Sequence, residues 1–236
     1  MKLQLWLKKR TMPVGLSTVN NFMNKHTNIT GLLLLLLIAG VAGFMASRHY
    51  FSADGIDRTE FQSLLVYPNQ KTFSGFELTN QNGESVTIES FAGKWTLLFF
   101  GFTFCPDVCP TTLTDLQKVF KILRAENLKD MPDVLFISVD PKRDTIPILK
   151  DYISFFDPAF NAATGDAANI LALATQIGVA YHIEEHPEDD QNYDVNHTAA
   201  IFLVNPEQQM YGIFQSPHDV NNMALDLTQL IGHNKE

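Results

Sequence analysis

The chain has 236 residues, 45% of them hydrophobic and 18 of them Phe, enough for one sizeable domain with a full core plus an appendage. Its net charge is −9, yet residues 1–47 hold Lys2, Lys8, Lys9, Arg10 and Lys25 and no acid, so the remainder is more acidic still. A surface of that sign does not neutralise phosphates, which argues against nucleic acid as a partner.

Residues 29–47 open with an uncharged, almost wholly apolar run, ITGLLLLLLIAGVAGFMA. It is close to the ~20 residues a helix needs to cross a bilayer. A cleaved signal peptide has a shorter apolar core and a better cleavage site than Gly40-Val41-Ala42. A buried core helix would carry polar positions at helical spacing. The segment therefore reads as an uncleaved transmembrane signal anchor. By the positive-inside rule the basic residues 1–28 stay cytoplasmic, which places the rest in the periplasm of a bacterium. A mitochondrial inner-membrane protein facing the intermembrane space also fits the acid-free N-terminus. Residues 48–64 read as a polar tether and 65–236 as the folded domain.

Within the domain, FSGFELTNQNGESVTIES (73–90) breaks at Asn82-Gly83, a hairpin signal. KWTLLFFGF (94–102) is the continuous apolar run of a strand buried on both faces. Leu113, Leu116, Val119, Phe120 and Leu123 recur at helical spacing within 107–126. DVLFISVD (133–140) reads as a second strand, followed by a helix over 144–156 that Pro147 interrupts early. GDAANILALATQIGV (165–179) is a helix with Asp166 as its N-cap. The acidic stretch YHIEEHPEDDQNYDVNH (181–197) reads as a solvated loop. TAAIFLVNP (198–206) and QMYGIFQ (209–215) form a hairpin, and a last amphipathic helix covers 218–231 with His218 at its cap. The order predicts an α/β fold: a central sheet with helices on both faces, in the thioredoxin-like arrangement with an added N-terminal β-hairpin and an insert.

Both cysteines lie in FFGFTFCPDVCPTTL (99–113), with three residues between them where a thioredoxin redox motif has two. Cys105 is expected to end a buried strand and Cys109 to lie in the first turn of the next helix. There the i, i+4 spacing lets the sulfurs converge, and free amides favour thiolates. A disulfide across so short a loop restricts the unfolded chain little, so a structural staple explains the pair poorly. Two neighbouring thiolates repel unless a proton, a disulfide bond or a metal neutralises them.

Seven histidines are available as a third ligand. His26 and His49 flank the anchor, His233 is close to the C-terminus, and His182 and His186 lie in the acidic stretch. His197, by itself, reads as an ordinary loop histidine. In a thioredoxin-type domain, however, the loop before TAAIFLVNP packs against the cysteine turn. Two thiolates and one imidazole make a soft site suited to Cu(I), with Cu(II) accessible, whereas structural zinc takes a fourth ligand. The cysteines could also serve a thiol–disulfide oxidoreductase, which needs one exposed thiolate and a resolving partner, although the three-residue spacing and a converging His favour metal. A peroxiredoxin-type peroxidase fits poorly, because Pro106 follows Cys105.

GFTFCPDVCPTTL, VDPKRDT (139–145), TGDAANILALATQIGVAY (164–181) and YDVNHTAAIFLVNP (193–206), in that order, resemble the Sco/SenC family over residues 65–232. The resemblance implies a membrane-anchored, thioredoxin-like copper protein that assists cytochrome c oxidase assembly. It implies copper ligands at Cys105, Cys109 and His197, a redox-active Cys105–Cys109 pair, and oxidase subunit II, with its copper-A centre, as partner. Delivery of copper and reduction of the partner's thiols are both open on this resemblance. Asp107 and Asp140 match the family motif and are expected beside the ligands or at the docking face; for Asp140 a loop cap before Pro141 is an equal reading. Asn196 stands where many members have Asp, which leaves ligation intact but removes an acid next to the ligand histidine.

Overall fold

The computed structural model describes residues 31–45, 61–185, 187 and 192–233. The chain divides into two units, Met1–Ala53 and Asp54–Glu236. In the first, residues 31–45 form helix α1 with every side chain exposed. The flanks of the expected 29–47 anchor lie outside the described residues, as do residues 1–28. Among the described residues no helix is long and apolar enough to cross a membrane.

The second unit is built on strand β4 (Thr96–Gly101), of which every residue is buried. On one side β4 pairs in parallel with β5 (Asp133–Ser138), and β5 in parallel with β6 (Phe160–Thr164). On the other side β4 runs antiparallel to β9 (Ile201–Val204), which pairs with β10 (Gln209–Phe214), which pairs with the edge strand β1 (Leu64–Thr72). The hairpin of β2 (Leu78–Asn80) and β3 (Ser85–Val86) closes the far edge on β6. Helices α2 (Val108–Ala125) and α3 (Ile146–Ser154) make the β4–β5 and β5–β6 crossovers. Helices α4 (Ala167–Ile177) and α5 (Val220–His233) complete the layers. A separate two-stranded ribbon pairs β7 (Tyr181–Ile183) with β8 (Val195–His197). The arrangement is the expected thioredoxin-like one with its N-terminal hairpin.

Several details differ from the sequence reading. β6 was absent from it, because FNAAT has one large apolar residue and Ala162 and Ala163 supply no period, although both are fully buried. Pro147 does not interrupt α3; it sits in the first turn, where a missing N–H costs nothing. Packed structure is present before residue 65: Phe61 and Leu64 are buried, and Leu64 begins the longest strand. β1 escapes notice because Pro68 lies in it and its pairing register shifts between Val66 and Lys71, features confined to edges and bulges. The acidic stretch is not all loop, since both its ends pair in the β7–β8 ribbon. His218 does not cap α5. Asp219 does, accepting from the Asn222 amide at 2.9 Å, while burial lowers the pKa of the His218 imidazole.

One buried carboxylate ties the start of the domain to its end. Asp226, fully buried on α5, accepts from the amides of Gln62, Ser63 and Leu64 at 2.7–2.8 Å and from the Ser63 hydroxyl. Charge-assisted bonds of this kind are the strong ones, and buried amides left without an acceptor are costly. Asp226→Ala is expected to destabilise the fold by about 3 kcal/mol, read as a lower denaturation midpoint, with Asp226→Asn losing less.

Candidate metal centre

β4 ends at Gly101, and the chain then turns before α2. Cys105 therefore does not end the strand; it lies in the turn, held by its own amide donating to the Phe102 carbonyl at 3.3 Å. Nor do the two sulfurs converge by sharing a helix face, because Cys105 precedes the helix. Its sulfur instead accepts from the Cys109 amide, in the first turn of α2, at 3.4 Å. Asp107 occupies the N-cap position but makes no side-chain cap bond. Its carboxylate is exposed and receives only the Thr111 hydroxyl, at 3.4 Å. The helix amide that a capping carboxylate would take is thus given to sulfur.

Cys109 is fully buried beneath the turn, Cys105 is half-buried, and both are free thiols. Room for the Cys109 thiol comes from Gly101. A Cβ there would lie 2.7 Å from Cys109 Sγ and 2.7 Å from the Phe136 ring. The third side chain comes from the end of β8, where the imidazole Nε2 of His197 lies 3.2 Å from Cys109 Sγ. Its Nδ1 faces the Thr198 carbonyl at 3.1 Å. A carbonyl only accepts, so Nδ1 carries the proton and the Nε2 lone pair faces the sulfurs. The rings of Phe99 and Phe102 stand against the imidazole with centroids 6.0 and 5.9 Å away. Among the described residues these three form the one group of three or more such side chains, their donor atoms all within 4.8 Å of one another.

The two thiols divide one proton unequally. A hydrogen bond from Cys109 holds the Cys105 thiol down to about 3, against burial that would raise it and with further help from the Cys109 amide. The same bond to Cys105, followed by burial, pushes the Cys109 thiol well up. Cys105 is the thiolate and Cys109 keeps the proton.

The segment 139–145 contacts both the cysteine turn and the stretch before β8. Asp144 accepts from the Thr103 amide at 2.9 Å, the Thr103 hydroxyl at 2.5 Å and the Ser138 hydroxyl at 2.5 Å, so it fixes the cysteine turn to the end of β5. Burial raises the Asp144 carboxyl despite these donors. Asp140 is fully buried, and its carboxylate is engaged by Arg143 and Tyr193: it accepts from Arg143 Nε and, at 2.7 Å, from the Tyr193 hydroxyl. Asn196 is exposed, opposite His182 in the ribbon and on the other face of β8 from His197. Of the remaining histidines, His182 is exposed and His233 ends α5, while His26, His49 and His186 lie outside the described residues. Sequence reasoning missed Gly101, Arg143, Asp144 and Tyr193. A charged pair inside VDPKRDT was the one available signal.

The SCO1/SenC family model matches residues 67–232. An SCO2-like protein of Rickettsia prowazekii is 33% identical over 184 residues, which is 77% of this chain and 87% of that relative. The ScoI structure of Bradyrhizobium japonicum with copper bound is 38% identical, with a TM-score of 0.58, over 67% of this chain and 99% of that one. The ScoI structure of Arabidopsis thaliana with copper bound is 33% identical, with a TM-score of 0.62, over 68% and 99% respectively.

The unequal proton has a direct kinetic consequence. Alkylation of Cys105 by iodoacetamide is expected to hold its plateau rate from about pH 8 down to about pH 6. An ordinary thiol loses about tenfold per unit over that range. An acid limb near pH 8 would show that Cys105 is not the thiolate.

Proposed function

The chain belongs to the SCO1/SenC family, and from that premise we propose that it is a copper-binding metallochaperone whose cargo is held by Cys105, Cys109 and His197. The observation that carries this reading is the convergence of two sulfurs and an imidazole lone pair within 4.8 Å. Two thiolates and one imidazole are soft donors that prefer Cu(I) and tolerate Cu(II). Binding displaces the Cys109 proton, and the metal then supplies the positive charge that lets both sulfurs ionise. The relatives solved with copper bound support the same cargo.

On this reading the acceptor is the copper-A site of cytochrome c oxidase subunit II. Phe104 and Val108, exposed beside Cys105, give an acceptor an apolar rim to dock on. Residues 29–47 anchor the chain in the inner membrane, and the domain faces the periplasm or, in a mitochondrion, the intermembrane space. Asp107, exposed between the cysteines, contributes to docking. Asn196 leaves the ligand histidine without an adjacent acid, so handover does not depend on one.

A second reading, thiol–disulfide exchange, is favoured by one feature: a half-exposed thiolate at Cys105 backed by a buried, protonated Cys109. Attack by Cys105 on a target disulfide and resolution by Cys109 would reduce that target, leave the pair as a disulfide and release one proton from Cys109. This route needs no imidazole.

His197 separates the two. In the full chain, purified in detergent and reduced, about one copper per chain is expected, with sulfur and nitrogen neighbours counted by X-ray absorption. His197→Ala is expected to remove the nitrogen and weaken binding by about 100-fold or more, beyond the loss typical of an outer partner, while the disulfide still forms. Copper binding unchanged by that substitution sinks the three-ligand site. In the host, deletion is expected to lower oxidase activity and added copper to restore it; a loss that copper does not rescue favours the thiol reaction.

A further inference from the structure

His197 is carried on a light support. Strands β7 and β8 pair only with each other, in three residue pairs, and a two-stranded ribbon of that length is marginal by itself. The cysteines, by contrast, are mounted between the buried strand β4 and the helix α2. The imidazole must nevertheless stay 3.2 Å from Cys109 Sγ.

We propose that Arg143 is the positioning residue that clamps the His197 ribbon onto the cysteine turn. Its side chain, 3% exposed, meets both partners at once. The guanidinium carbon lies 3.6 Å from the centroid of the Tyr193 ring, 5.1 Å from that of Phe104 and 5.4 Å from that of Phe102. Nη1 also donates to the Tyr193 carbonyl at 3.0 Å. Tyr193 lies two residues before β8, and Phe102 and Phe104 precede Cys105 in its turn. Phe102 closes the circuit, because its ring also stands edge-on to the His197 imidazole at an interplanar angle of 88°.

Asp140 makes the clamp possible by neutralising a cation that burial would otherwise penalise. It also holds the Tyr193 hydroxyl. A planar, delocalised cation is required: it stacks on a ring face while its N–H groups bond in the ring plane, which an ammonium cannot do. Arg143→Lys therefore keeps the charge against Asp140 but removes the stack on the Tyr193 ring and the in-plane Nη1 bond to the Tyr193 carbonyl.

The copper arm of the test rests on the three-ligand reading, whereas the metal-free arm does not. In the full chain, reduced and metal-free in detergent, with His and Phe labelled, a nuclear Overhauser contact is expected between the His197 and Phe102 rings. Arg143→Lys is expected to abolish it while the core contact between Phe120 and Phe160, centroids 4.9 Å apart, persists. On copper titration Arg143→Lys is expected to lose nitrogen ligation and about 10- to 100-fold in affinity, with no further loss when it is added to His197→Ala. Should Arg143→Lys fail to fold, Tyr193→Ala takes away the ribbon's side of the stack, leaves the Arg143–Asp140 pair, and is expected to give the same loss. A retained His197–Phe102 contact in a folded variant overturns the clamp. A wild-type chain that takes up no copper overturns the metal reading instead, and the ring contact still decides the clamp.

Discussion

The constraint on which the site depends is electrostatic. Cys105 and Cys109 lie too close together for both to be anions, and a single proton resolves the conflict by staying on the buried sulfur. Burial alone would protonate Cys109, and exposure together with the helix amide would ionise Cys105, so the fold and the pair push in the same direction. A soft cation relieves the same conflict better than a proton, because it satisfies both sulfurs and the imidazole lone pair together. A disulfide relieves it as well, by removing two electrons and the proton. The metal-loaded and oxidised states therefore exclude one another.

The surrounding architecture supplies this geometry unevenly. On the cysteine side everything is rigid: β4 is buried on both faces, Gly101 leaves a space the size of the Cys109 sulfur, and Asp144 ties Thr103 to Ser138. On the histidine side the support is a short ribbon. The segment 139–145 compensates by reaching both, with Asp144 on the cysteine turn and Asp140 and Arg143 under the ribbon. Three charged side chains are buried within five residues there, which the stability of the core alone does not require.

What the sequence disclosed follows from which signals are periodic. β4, β5, α2 and α4 carry long apolar patterns and were legible, as was the Asn82-Gly83 turn, where Gly83 takes a positive φ of 84°. β6 and β1 were not, since one is built of alanines and the other is an edge strand with a proline. The cysteine pair and His197 could be named as partners only through the architecture and the family resemblance, for Cys109 and His197 are 88 positions apart. The clamp left no trace in hydropathy. Lys142, Arg143 and Asp144 are all charged, and only the packed structure shows that two of the three are buried.

The three residues between the cysteines, where a thioredoxin motif has two, can now be connected to the chemistry. They place Cys105 in the turn before the helix, half-exposed, while Cys109 remains inside the first turn and fully buried. The pair is asymmetric in access as well as in charge. Any exchange with an outside group, whether a copper ligand or a disulfide, must begin at Cys105, because Cys109 offers no surface. Cys109 and His197, 3.2 Å apart behind it, then act as the inner half of the site. On the proposed copper reading, an acceptor's ligands would meet the metal from the Cys105 side, with Cys109 and His197 behind it. The same spacing that loosens a redox motif thus gives the site a direction.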